Sequence, residues 1–173
     1  MMLPIPLPPS LSSSLTSILA LMLLAGLVAA ASMVDLRERR LPDRLTAAIF
    51  LAGLTHAVIS GIDPLWRLIA AAAGGGAFLL VATICRTLSG RDGLGGGDIK
   101  LIAALGTWVG LEGLAPLVSI AAISALLAAG LARFAGITID RETHIPFGPF
   151  LGGAGLLMVA ADLTGLLPWR AMA

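Results

Sequence analysis

Four carboxylates lie in or beside the long apolar stretches of this chain: Asp35, Asp98, Glu112 and Asp162. An ionisable group so placed is costly, by at least ~2.5 kcal/mol near the centre of a bilayer, and is first read as a candidate for chemistry. Asp35 closes one apolar run and begins Asp35-Leu36-Arg37-Glu38-Arg39-Arg40-Leu41-Pro42-Asp43. Asp98 follows the glycine-rich Gly93-Leu94-Gly95-Gly96-Gly97 and opens another run. Two carboxylates held close together cannot both ionise easily, so one keeps a proton while the other carries charge. Such a pair can activate a water and protonate a leaving amine, which is peptide-bond hydrolysis without a metal or a covalent intermediate. Gly95 and Gly97 are expected to allow positive φ, or to let an extended substrate approach the backbone. Taken singly, the glycines read as a flexible turn and Asp35 as an ordinary interfacial charge. Their occurrence together on one face favours chemistry.

The elements that must position these groups are membrane helices. Of 173 residues, 58% are hydrophobic before 21 glycines are counted, and only 12% are charged. A soluble domain carries about a quarter charged residues. A crossing helix needs about 20 apolar residues, and the uncharged runs near that length are Leu15 to Val34, Leu45 to Ser60, Leu68 to Cys85, Leu114 to Leu131 and Pro146 to Leu167, the last interrupted by Asp162. Ile99 to Leu111 is a shorter sixth run, crossing or re-entrant. Joined to its successor it would make a helix of about 50 Å, so a break is expected at Glu112-Gly113 or Pro116. The fold expected is an all-α membrane protein, a bundle of about six transmembrane helices. Residues 1–14, with four prolines and no Lys or Arg, read as a flexible tail rather than the basic start of a signal peptide. Residues 15–173 read as a single membrane domain. Glycines and alanines from Ala71 to Ala77 suit close helix packing.

Orientation follows from the basic residues. One set of loops holds Arg37, Arg39, Arg40, Arg44, Arg86, Arg91, Lys100, Arg133 and Arg141; the other holds Arg67 and Arg170. The richer set is expected on the cytoplasmic side, together with Asp35 and Asp98. Trp66, Trp108 and Trp169 would then fall at the outer interface. Glu112 and Asp162 also fall toward the outer face, Asp162 about 24 Å of helix beyond Pro146. A net charge of +1 and the absence of a basic tail argue against nucleic-acid binding. A single cysteine, Cys85, excludes an internal disulfide and a CxxC zinc site.

Three stretches resemble the signature motifs of the type IV prepilin peptidases: Asp-x-Arg-x-x-x-Leu-Pro-Asp at 35–43, Gly-x-Gly-Asp-Ile-Lys-Leu at 95–101, and Ile-Pro-Phe-Gly-Pro-Phe-Leu at 145–151. The resemblance implies an aspartic endopeptidase of the bacterial inner membrane, its active site facing the cytoplasm, that removes a short basic leader from prepilins or pseudopilins. By motif position Asp35 and Asp98 would be the catalytic pair. Larger members add a domain with paired CxxC motifs linked to methylation, so methylation is not expected of this chain. An Asp stands at 43 where the family has Asn, and with Pro42 before it Asp43 is expected to begin the second helix as an N-cap.

Lys100 either favours the charged form of Asp98 or anchors a helix end at the interface. Pro146, Phe147, Gly148 and Pro149 either line the cleft, as the resemblance implies, or form an ordinary helix start. His144 reads as solvated; His56 and Cys85 read as packing or interfacial residues. No cofactor and no metal are implied, since no His, Cys and carboxylate cluster has metal spacing. The Gly-x-Gly-Asp motif also resembles the presenilin-like proteases, against which the 35–43 motif argues. From other classes, a proton-coupled carrier or a non-catalytic assembly component of a pilus or secretion machine remain alternatives. A carrier requires a polar path through the whole bilayer, whereas these acids gather mainly at one end.

Overall fold

The computed structural model describes residues 11–38, 41–89, 95–136 and 147–164. They form five helices: α1 (Leu11–Glu38), α2 (Asp43–Ile59), α3 (Pro64–Ser89), α4 (Gly96–Phe134) and α5 (Gly148–Leu163). No strand occurs among the described residues. Three of the helices are long and apolar enough to cross a membrane, namely α1, α3 and α4; α5 is a shorter apolar helix. α1 begins at Leu11, inside the stretch expected as a tail, and residues 1–10 lie outside the described residues.

Where a fourth and a fifth span are expected, the described residues carry one continuous element, α4, made of two helical arms that meet at a break. The break does not fall at Glu112-Gly113 or Pro116, which are helical; it falls at Gly110, with φ 74° and ψ −179°. That conformation is essentially restricted to glycine, which is why the neighbouring residues could not host it. A methyl group at Gly74 of α3 would meet Leu114 at 3.0 Å and Ile102 at 3.5 Å. Unbroken helix would hold those two residues about 18 Å apart. α4 therefore bends sharply at Gly110 into two arms that both pack on α3.

The first arm of α4 is the centre of the bundle. Leu101, Ile102, Ala104, Leu105, Gly106, Thr107 and Trp108 are all buried, and a helix apolar all round belongs inside. It meets Leu24 and Val28 of α1, Ile49 of α2 and Leu151 and Met158 of α5 in one core. The small residues of α3 serve the packing expected of them: Ala71 backbone lies 3.0 Å from where a methyl at Gly106 would stand. The outer surfaces remain apolar, with Leu19 and Met22 on α1, Leu80 and Leu88 on α3, and Leu126 and Leu131 on α4 exposed. Patches of that extent find their partner in lipid tails, and the protein is a membrane protein.

Trp108 departs from the interfacial role expected of it. It is 5% exposed, its indole N–H donates to the Ile49 carbonyl at 2.9 Å, and its ring stacks on His56 at 5.4 Å between centroids. Trp66 is exposed as expected, and Trp169 lies outside the described residues.

Candidate active site

Asp35 sits in the last turn of α1 and Asp98 in the first turn of α4. The fold brings both to the same end of the bundle, where Leu41 lies against Gly97, the residue before Asp98, and against Gly148, whose backbone meets the Asp35 carboxyl. Asp35 is only 8% exposed, and its Oδ2 is the one buried side-chain nitrogen or oxygen without a hydrogen-bond partner among the described residues. Native interiors rarely leave such an atom unpaired. The backbone of Gly148, at the start of α5, lies against this carboxyl: a methyl there would stand 2.5 Å from Oδ2 and 3.1 Å from Cγ. The third motif thus meets the first through a residue without a side chain.

Asp98 is half-buried. Its turn begins at Gly95, the N-cap, whose carbonyl accepts the Asp98 N–H at 3.0 Å. Gly95 has φ −68° and ψ 136°, an extended conformation open to any residue, and Gly97 is already helical. The expected positive φ is found at neither. What Gly97 supplies is closeness: a methyl there would lie 2.9 Å from Leu41 Cβ and 3.0 Å from its Cδ1. The space beside Gly97 is filled by Leu41. Gly93 and Leu94 lie outside the described residues.

Leu41 and Pro42 link α1 to α2. Proline fixes φ at −65° with ψ at 132°, and its carbonyl accepts the N–H groups of Leu45 at 3.0 Å and Thr46 at 3.3 Å. Pro42, not Asp43, is the N-cap, and no side chain caps this helix. Asp43 turns instead to α4, where Lys100 Nζ donates to Oδ1 at 2.5 Å. Lys100 thereby ties the starts of α2 and α4 together. Beside this ion pair a cleft of about 390 Å³ opens between the two helices, lined by Thr46, Phe50, Ala103 and Ala104 among others.

Phe147 is half-buried against the core. Pro149 lies in the first turn of α5, where a missing N–H costs nothing. Pro146 and His144 fall outside the described residues. Glu112 is exposed beside Gly110, at the opposite end of the first arm. Asp162 stands near the far end of α5 from Gly148. The structure thus brings Asp35, Asp98, Gly97, Gly148 and Lys100 to one end and separates the other two acids from them. Leu41 belongs to the first motif but is given no role by the sequence, because the residues it touches, Gly97 and Gly148, lie far along the chain. Among the described residues no three His, Cys, Asp or Glu side chains form a metal-holding group.

A family model described as the type IV leader peptidase family matches residues 22–132. A prepilin leader peptidase/N-methyltransferase of Xanthomonas campestris is 37% identical over 137 residues, covering 76% of this chain and 46% of that protein. Proteins of the same name from Neisseria gonorrhoeae and Dickeya chrysanthemi are 31% and 33% identical, covering 87% and 86% of this chain and 50% and 53% of their own length. The chain spans about half the length of the curated relatives it matches. No solved structure matches it. The matched residues include both aspartates, the linking Leu-Pro segment and the whole first arm of α4 that holds Asp98 in place; the chain belongs to the type IV leader peptidase family.

Proposed function

We propose that this protein is a membrane aspartic endopeptidase, with Asp35 and Asp98 as its catalytic pair, that cuts the basic leader from prepilins or pseudopilins at the cytoplasmic face of the bacterial inner membrane. The observation that carries the reading is the convergence of these two carboxyls, from separate helices, at one end of a bundle of this family. The orientation rests on the basic residues gathered at that end, Arg37, Arg44, Arg86, Lys100 and Arg133. The relatives' names carry two activities; the reading for this chain is the peptidase, whose family model covers both aspartates.

The chemistry follows from paired carboxyls. The ionised carboxylate takes a proton from a water, whose oxygen adds to the scissile carbonyl carbon, while the protonated carboxyl hydrogen-bonds and then protonates the carbonyl oxygen. Collapse of the tetrahedral intermediate breaks the C–N bond, the amine leaves with the proton first taken from water, and a hydroxyl of the intermediate returns its proton to the second carboxylate, leaving the pair as it began. A substrate of basic leader and apolar helix suits this placement. The helix lies in the bilayer beside the bundle, and the leader stays in water near two acids. Gly148, with Phe147 before it, lies against the Asp35 carboxyl, and Gly95 and Gly97 open the helix that carries Asp98.

Co-expression with candidate prepilins tests the reading, scored as a mobility shift on a gel. Wild type should convert substrate, and Asp35→Asn and Asp98→Asn should each leave it uncut, since losing a catalytic group forfeits a large part of an acceleration of about a millionfold or more. Asp162→Asn and Glu112→Gln should still cut. Normal processing by either dyad variant at matched expression overturns the assignment.

A further inference from the structure

Leu41 stands between two glycines that belong to different motifs. A methyl at Gly97, the residue before Asp98, would meet its Cβ at 2.9 Å, and a methyl at Gly148, against Asp35, would meet its Cδ1 at 3.4 Å. One side chain thus touches the backbone that carries one aspartate and the backbone that covers the other. Its own main chain is stiff: a residue before proline is confined to extended conformations, and Pro42 is locked at φ −65° with its carbonyl engaged by the first turn of α2. The ion pair of Asp43 with Lys100, two residues farther along, fastens the same segment to α4. The side chain therefore cannot drift without moving the start of a helix.

We propose that Leu41 is a positioning residue that sets the separation of the Asp35 and Asp98 carboxyls, a spacer whose width is matched to the absence of side chains at Gly97 and Gly148. This deepens, and rests on, the peptidase reading above. A carboxyl pair that shares one proton depends on its separation, because the coupling of two charges falls with distance. A leucine packed between two glycines admits neither a narrower nor a wider gap without a void or an overlap. Leu41 itself reaches no reacting atom and acts only through the two helix starts it holds apart.

The test uses the full chain in detergent with a substrate of a basic leader, a glycine and about 20 apolar residues. Leu41→Ala should lower kcat on the order of 100-fold, the scale of a misplacement of about 1 Å, with KM unchanged. Leu41→Met, of similar volume, should stay near wild type. Gly97→Ala should be slow because its methyl overlaps Leu41. The double variant Leu41→Ala/Gly97→Ala should be faster than either single one, since the added methyl occupies part of the vacated space; a merely structural leucine would give additive loss. Spin labels on Leu36→Cys and Gly96→Cys, in a Cys85→Ser background, report the α1–α4 distance without any reaction; Gly96 has open space for a side chain. That distance should be single and narrow in the parent and shift or broaden in Leu41→Ala. If Leu41→Ala does not accumulate, Leu41→Val is read in the same way. Wild-type kcat in Leu41→Ala, or an unchanged label distance, overturns the spacer. A parent that cuts no substrate while its label distance still responds to Leu41→Ala removes the peptidase reading and leaves Leu41 as the structural spacer.

Discussion

Gly148 lies so close to Asp35 that a single methyl group at Gly148 would stand 2.5 Å from the carboxyl oxygen Oδ2. The carboxyl is buried at the end of α1 and has no room to retreat. Gly148→Ala should therefore push Asp35 out of place and reduce cleavage on the order of 100-fold, while the protein still accumulates in the membrane. Cleavage by Gly148→Ala at the parent rate would show that the Asp35 carboxyl tolerates displacement and is not the group held for reaction.

Gly110 has a φ of 74°, and a methyl there would also lie 2.8 Å from the Arg67 guanidinium. Gly110→Ala should destabilise the protein by about 1–3 kcal/mol, read as a lower melting temperature in detergent. Cleavage measured well below that temperature should be retained, because the bend lies at the opposite end of the first arm from Asp98. A melting temperature equal to the parent's would mean that α4 does not need the glycine conformation.

The Lys100–Asp43 pair is short but open to solvent, with side chains 53% and 75% exposed. Pairs of that kind contribute about 0–1 kcal/mol. Asp43→Asn should shift stability by no more than that, and cleavage should change by a few fold at most. A large loss in either would show that the pair works in a drier setting than its exposure indicates.

Orientation is tested in intact cells with an impermeant thiol reagent and a Cys85→Ser background. Asp63→Cys, in the exposed turn between α2 and α3, should react. Ser89→Cys, at the end of α3 near the basic cluster, should not. The reverse labelling would place both aspartates on the outer side and exclude a cytoplasmic cut.

Much of this arrangement was legible in the residues. The apolar runs mark the helices, and the acids at run ends mark the two helix termini that meet. The 57-residue separation of Asp43 from Lys100 shows where legibility stops: the Asp expected to cap α2 stands one residue inside the helix, behind Pro42, and its carboxylate takes a cation brought by another helix. Trp108 reads from its run as an interfacial ring, yet it is drawn inward by the carbonyl of Ile49, a partner named only by the fold. For Gly97 the sequence suggests conformational freedom, whereas the folded chain uses its missing side chain as a socket for Leu41. In each case the deciding group is distant along the chain and leaves no trace in local spacing.

The Gly110 bend and the aspartate end hold the helices by different kinds of joint. Around the bend the helices are joined by directional bonds: Arg67 donates to the Trp108 carbonyl at 2.9 Å, Trp108 donates to the Ile49 carbonyl at 2.9 Å, and the Thr107 hydroxyl, bonded to Ala104 of its own helix, lies 3.3 Å from the Phe50 carbonyl of α2. At the aspartate end the joints are a leucine seated on two glycines and a solvent-exposed ion pair. Hydrogen bonds fix angles, and close packing against a missing side chain fixes distance. The first arm of α4 is thus aimed at its Gly110 end and gauged at its Asp98 end.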